Sequence, residues 1–396
     1  MEERIKYACL FGGGAIRGLA HVGVIRALNK LNIEIGTLAG SSVGSIVATL
    51  LALGYSANEI EEIFLFVNFE LFRDINWGKS VALSKGDLFR EWMRKLIAQK
   101  FYGDDFANKP PVTFADLEKD LIIIATDLTN FKSKEFSKFT TPDFEIAEAV
   151  RISSCMPGLM SAVDVENAVL VDGDLQKSWP MWELAQTLKN TDENVLEIRL
   201  EGSTCSNLAN PICYINTVYS CITSIASEFI SKIYAHDERH DVFCLNTGDV
   251  VVVNFQMKLD ERKALVKAGF DQTMKYFCEI LPKKKMKTID NYVKLRNYVV
   301  DIRKLVLEDK VLEAQAKYAG MTKLLAENNH VIDEKICAEI LSVAGELLDN
   351  TAKTIFLRKV YLKNHRSLLK ILDNLENNLS MRKKNSQKFL EKIEKY

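Results

Sequence analysis

Between Tyr7 and Gly54 the chain twice passes from a short apolar run, through small residues, into helical periodicity. Tyr7-Ala8-Cys9-Leu10-Phe11 runs into Gly12-Gly13-Gly14-Ala15-Ile16-Arg17-Gly18, after which Val22, Val24, Ile25 and Leu28 recur at a spacing that suits a helix packed on a sheet. Ile35-Gly36-Thr37-Leu38-Ala39 then meets Gly40-Ser41-Ser42-Val43-Gly44, and helical spacing resumes from Ile46 to Leu53. Strand, glycine loop, helix, strand, sharp turn, helix is the order of a βαβ-type sheet with helices on its faces. Leu121 to Thr126 reads as a buried strand, Ala168 to Val171 as another that ends at Asp172-Gly173-Asp174, and Val250 to Val253 as the last strand of the domain. Ser56 and Glu59 have the spacing of a capping box, opening a helix that carries Phe64, Phe66, Phe69 and Phe72.

Beyond Pro282 no β-rich run occurs, and Lys283 to Lys287 reads as a basic joint. Three stretches then repeat one apolar stripe: Leu295, Val299, Ile302, Val306; Ile336, Ile340, Val343, Leu347; and Leu368, Leu372, Leu375, Leu379. The expected division is a catalytic α/β domain over 1–282 and a helical, basic region over 283–396. Charge follows the same division. Residues 1–282 carry 28 basic against 38 acidic side chains and residues 283–396 carry 24 against 15, within a chain of net charge −1. A balanced total offers nucleic acid no global field, so none is expected as partner. The Lys-rich end from Arg382 to Lys395 is either a solvated helix face or a contact surface for a membrane or a protein partner.

Eight cysteines form no CxxC pair and no His/Cys cluster at metal-ligand spacing, so a reduced compartment is expected, with no metal and no cofactor. The charged start, Met1 to Lys6, is unlike a secretory signal, and no run reaches the roughly 20 apolar residues of a membrane helix. A cytoplasmic chain that touches membranes peripherally is the expectation. Ile212 to Ile233 reads as an amphipathic helix with Ile215, Val218, Ile222, Ile225 and Phe229 on one face; such a face packs into a core or lines an apolar entrance.

Gly40-Ser41-Ser42-Val43-Gly44 has the G-x-S-x-G form of a nucleophile elbow, in which small residues let a tight strand-to-helix corner present a serine, here Ser42. A glycine-tightened corner without chemistry has the same pattern. The loop at Gly12, Gly13 and Gly14 supplies unhindered N–H groups that open a helix, the donors an acyl-transfer oxyanion needs. Nucleotide phosphate is the competing use, but Gly-Lys-Ser/Thr is absent and Arg17 stands where a dinucleotide loop has its third glycine. For a base, His236 and His240 follow Asp172 in an order that permits a Ser-Asp-His triad, though within a polar stretch. His21 reads as a ring that bonds a nearby backbone. Asp172 itself, closing an apolar strand beside Gly173, serves as base if burial raises its pKa.

Gly12 to His21, Gly40 to Gly44, Arg151-Ile152-Ser153-Ser154-Cys155-Met156-Pro157-Gly158 and Asp172-Gly173-Asp174, in this order, resemble the patatin-like phospholipase family. The resemblance covers roughly residues 5–280. It implies a three-layer α/β/α fold, a Ser42 nucleophile with Asp172 as dyad partner and no catalytic histidine, and an oxyanion hole around Gly12, Gly13 and Gly14. Arg17 would steady that loop or meet a phosphate. The implied activity is hydrolysis of fatty acyl esters of phospholipids or related lipids. Two features depart from the family pattern: two residues separate Gly14 from Arg17 instead of one, and Asp174 stands where Gly or Ala is usual. The added carboxylate either tunes Asp172 or caps the next turn. Three functions therefore stand at the level of sequence: a lipid acyl hydrolase, a triad esterase on small esters, and a regulatory binding protein acting through residues 283–396.

Overall fold

The apolar runs of the first half form the middle of one mixed sheet. In a computed structural model that describes residues 4–68, 72, 82–175, 193–203, 209–210, 213–214, 217–225, 239–251, 256–328, 334–349 and 358–393, strands β1 (Lys6–Phe11), β2 (Glu34–Ser41) and β3 (Leu121–Asp127) lie parallel and side by side. β4 (Lys132–Ser137) and β6 (Ala168–Asp172) pair antiparallel with β3, and β5 (Val163–Val165) pairs with β6. On the other side of β1 come β7 (Asn194–Glu201) and then β8 (His240–Asn246), both parallel. The order is β5-β6-β3-β2-β1-β7-β8, with β4 against β3. Every residue of β3 is buried, as expected of a strand covered on both faces.

Helices flank the sheet. α1 (Leu19–Lys30) and α2 (Val43–Ala52) follow the two glycine corners; α3 (Ala57–Phe66), α4 (Asp87–Tyr102) and α5 (Ile146–Ser153) come next. The capping box is formed: Ser56 accepts from the Glu59 amide, and the Glu59 carboxylate accepts from the Ser56 amide. α3 stops sooner than the run of phenylalanines predicts. Arg262 donates to the carbonyls of Leu65 and Val67 at 2.9 Å each, capping the helix end at Phe66, and Phe72 lies apart from it, stacked near Phe89 and Trp92. Phe69 lies outside the described residues.

The strand expected at Val250 to Val253 is absent at Val250 and Val251, and the other two positions lie outside the described residues. The outermost strand is β8 instead, which begins at His240 in a stretch that reads as polar loop. Its entry is buried because the His240 ring meets Glu197 Oε2 at 3.1 Å and Glu197 also takes the Arg199 guanidinium. Pairing makes this burial of charge affordable.

One compact unit comprises Met1–Ser231 with Arg239–Lys275, the other Lys232–Glu238 with Tyr276–Tyr396. The second is helical: Leu281–Leu307, Val311–Glu327, Glu334–Asp349 and Arg358–Ile393. Pro282 and Lys283 to Lys287, read as a joint, are helical: they lie in Leu281–Leu307, which follows directly on a π-helical turn at Tyr276–Ile280. Leu295, Val299, Ile302, Val306, Ile336, Ile340, Val343, Leu368, Leu372, Leu375 and Leu379 meet in a single core, as their spacing predicts. The Leu347 side chain lies outside what is described. No helix among the described residues is long and apolar enough to cross a membrane.

Candidate active site

β2 ends at Ser41 and α2 begins at Val43, so Ser42 makes the whole corner, with φ 50° and ψ −130°. An L residue holds such a backbone only at a cost of about 1–3 kcal/mol that its surroundings offset. Here the Ser42 amide donates to both the carbonyl (3.1 Å) and the hydroxyl (3.0 Å) of Ser153, and its carbonyl accepts from the Ser45 amide (2.9 Å) and hydroxyl (2.6 Å). Gly44 is obligatory, because a Cβ there would lie 1.9 Å from the Phe11 carbonyl oxygen. The corner does not open to solvent as an elbow pattern suggests. Ser42 is buried.

Register brings the carboxylate to the serine. β2 pairs along β3 as far as Ser41 opposite Ile124, and Asp172 of β6 then stands opposite Ala125. β4 occupies the other edge of β3 along the same stretch, so β6 takes over the edge that β2 leaves at the corner. Cys155 fixes the strand end by accepting the Asp172 amide at 3.1 Å. The Arg151 to Gly158 block thus holds both groups, Ser42 through Ser153 and Asp172 through Cys155.

The Asp172 carboxylate is fully buried. Its Oδ1 accepts from the Asp174 amide at 2.9 Å and from the Tyr219 hydroxyl at 2.8 Å. Oδ2 has no partner in hydrogen-bond geometry among the described residues, while the Ser42 side chain bears on the same carboxylate and favours its ionised form. Burial is the largest influence on its pKa and raises it; the Asp174 charge raises it further, against the bonds from Asp174, Ser42 and Tyr219. The balance lies well above the ordinary carboxylate value of about 4, which gives the group real basicity at neutral pH.

The three glycines differ in what their amides do. Gly12 donates to the Ile198 carbonyl at 2.9 Å and Gly13 to Asp174 Oδ1 at 3.1 Å; no partner takes the Gly14 amide among the described residues. Gly14 has φ 148°, a conformation that L side chains rarely adopt. A Cβ on Gly13 would meet Asp174 Oδ2 at 2.4 Å and Ser42 Cβ at 2.7 Å, so this loop lies directly over the corner. Arg17 holds loops: buried, it donates to the carbonyls of Val250 (2.8 Å) and Ser203.

Among the described residues, no histidine takes part in this cluster. The His21 ring is buried against the Gly12 carbonyl at 2.8 Å, and burial lowers its pKa to about 4, so it is neutral. His240 is level with Val195 and Ala8, at the end of the sheet opposite the corner. Three strand spacings and about five residues separate it from Ser42, roughly 14 Å across and 16 Å along the sheet. His236 lies outside the described residues.

Sequence reading missed Tyr219, since no pattern marks a lone tyrosine in a helical stretch. It sits, half-buried, in helical residues 217–225, whose Thr223 one turn further on is buried. Val218, Ile222 and Ile225 are 42%, 46% and 66% exposed, so this apolar stripe is not core. Ile215 and Phe229 lie outside the described residues.

Residues 10–184 match the family model for patatin-like phospholipase. "Uncharacterized protein R571" of Acanthamoeba polyphaga mimivirus is 28% identical over 305 residues, 71% of this chain and 96% of the relative. "Uncharacterized protein YqhO" of Bacillus subtilis (strain 168) is 25% identical over 296 residues, 67% of this chain and 95% of the relative. "Probable lipid hydrolase 463L" of Invertebrate iridescent virus 6 is 28% identical over 181 residues, 43% of this chain and 61% of the relative. Among solved structures, VipD from Legionella pneumophila aligns with a TM-score of 0.53 at 15% identity, covering 96% of this chain and 88% of that one, a likeness of fold.

Proposed function

We propose that this chain, which carries a patatin-like phospholipase domain over residues 10–184 and is a lipid hydrolase of that type, cleaves fatty acyl esters through an acyl-Ser42 intermediate with Asp172 as its sole base. One observation carries the reading: a buried carboxylate of raised pKa takes over the strand edge at the residue where the serine corner leaves it. Asp172 Oδ1 is tied by two donors, so Oδ2 is the oxygen that receives the Ser42 proton. Ser42 Oγ attacks the ester carbonyl, and the tetrahedral oxyanion forms against the Gly14 amide and the amino-terminal end of α2. Collapse expels the lysolipid or alcohol, which takes the proton from Asp172. Water, deprotonated by Asp172, then attacks the acyl-serine and releases the fatty acid.

The exposed stripe of Val218, Ile222 and Ile225 borders the site through Tyr219 and supports an apolar approach for the acyl chain. The position of His240 argues against a triad. Fatty acid release from phosphatidylcholine/phosphatidylglycerol vesicles tests the reading. Ser42→Ala and Asp172→Ala are each expected to lower the rate by about 10³-fold or more. Undiminished release in either variant overturns it.

A further inference from the structure

We infer that Asp174 is a positioning residue of the hydrolytic site, whose carboxylate locks the glycine loop onto the strand that delivers the nucleophile and whose charge acts on the base. The inference rests on Ser42 and Asp172 being the reacting pair. Three segments meet at this one side chain. Its Oδ1 accepts from the Gly13 amide at 3.1 Å and from the Ser41 hydroxyl, and its own amide donates to Asp172 Oδ1 at 2.9 Å. A turn cap would bond to its own turn; this carboxylate instead bonds to the glycine loop after β1 and to the end of β2, both remote in sequence. Asp174 is buried beside the Gly13 Cα and the Ser42 Cβ, within the shell of the reacting atoms.

Two consequences follow for the chemistry. Engaging the Gly13 amide fixes the glycine loop against Ser42, and the neighbouring Gly14 amide, which no partner takes among the described residues, is then the donor left for the oxyanion before substrate arrives. The second consequence is electrostatic. Two carboxylates are buried together with no cation bonded to either among the described residues, and like charge makes Asp172 hold a proton more strongly. Among the described residues, the titratable groups facing the pair are Tyr219 from the helical segment 217–225 and Cys155 after α5, on which Arg151 also acts.

Asn and Ala at position 174 separate the two jobs. Asn keeps an oxygen acceptor for Gly13 and Ser41 and removes the charge; Ala removes both. Ser42 reactivity is read directly as the rate of labelling by a fluorophosphonate, in which Ser42 Oγ bonds to phosphorus, fluoride leaves and the serine proton passes to Asp172. Rates are taken on the full-length chain from about pH 5 to about pH 9, where an acid limb reports the base. The acid-limb midpoint is expected to fall by about one pH unit in both Asp174→Asn and Asp174→Ala, because losing the negative neighbour lets Asp172 stay ionised to lower pH. The plateau rate is expected to fall only in Asp174→Ala, by about 10²-fold, through loss of the clamp. A wild-type midpoint in Asp174→Asn, or a wild-type plateau in Asp174→Ala, overturns the inference; so does a wild-type chain that never labels. A fold-stabilising role alone would lower the melting temperature and leave the midpoint in place. Labelling of Ser42 without fatty acid release from vesicles would instead sink the lipid reading and leave the role of Asp174 standing.

Discussion

The Tyr219 hydroxyl donates to Asp172 Oδ1 at 2.8 Å, tying the proposed base to a helical segment whose outer stripe is apolar and exposed. The bond favours the ionised carboxylate, so it opposes the rise in pKa that burial causes. Removing it in Tyr219→Phe leaves the shape of the side chain and takes away one donor. The sign follows: Asp172 holds its proton to higher pH, and the acid limb of kcat/KM moves upward by about one pH unit. That is opposite to the shift expected for Asp174→Asn. At neutral pH the rate should fall about fivefold, as protonated Asp172 accepts nothing from Ser42. A pH–rate profile of the two variants side by side checks both directions.

The exposed stripe predicts a dependence on surface. Ile222 and Ile225 are exposed, and inserting each into a lipid layer would stabilise the bound state by about 1.5–3 kcal/mol. Replacing both by Asp is expected to lower fatty acid release from vesicles by tenfold or more. Hydrolysis of a short-chain soluble ester, which needs no surface, should stay within about twofold. Equal loss on both substrates would mean that the helix is needed to build the site.

What the sequence reveals and what it hides divide along physical lines. β1, β2, β3 and β6 are legible because strands buried on both faces read as unbroken apolar runs. β7 and β8 escape because Glu197, Arg199 and His240 interrupt that pattern, and only their mutual pairing makes burial tolerable. β4 opens on Lys-Ser-Lys-Glu and offers Phe136 as its one apolar residue, too little for a strand signal. Within the site, Ser42 and Asp172 stand out through the glycines that tight corners require. Tyr219 reaches Asp172 from 47 positions away through tertiary folding alone, so nothing local marks it. Asp174 is visible as a departure from the family pattern, yet its partners Gly13 and Ser41 follow only from the fold.

His240 offers a test that separates stability from chemistry. Its ring is buried at the far end of the sheet and bonds to Glu197, which also holds Arg199. His240→Ala takes one partner from a buried carboxylate and leaves a void, at a cost of about 2–4 kcal/mol in folding stability. Thermal unfolding should shift downward by several degrees, while kcat measured well below the new midpoint stays within about twofold of wild type. Loss of turnover in a folded His240→Ala protein would restore a histidine to the mechanism.

Gly44 tests whether the corner itself, rather than any polar group, delivers the nucleophile. Its Cα faces the end of β1 so closely that a methyl group would sit 1.9 Å from the Phe11 carbonyl oxygen and 2.9 Å from that of Gly12. Neither atom is the tip of a flexible side chain, so α2 must move bodily away from β1 to admit it. Such overpacking costs about 1–3 kcal/mol where neighbours yield, and more where backbone opposes backbone. The same displacement carries Ser42 away from Asp172 and from the Gly14 amide, all of which depend on this corner. Gly44→Ala is therefore expected to fold with a lower melting temperature and to lose about 10²-fold in fluorophosphonate labelling of Ser42, with the acid-limb midpoint moved upward because Asp172 loses the Ser42 bond that favours its ionised form. Wild-type labelling in that variant would show that the site tolerates a shifted helix and that the close packing serves stability alone.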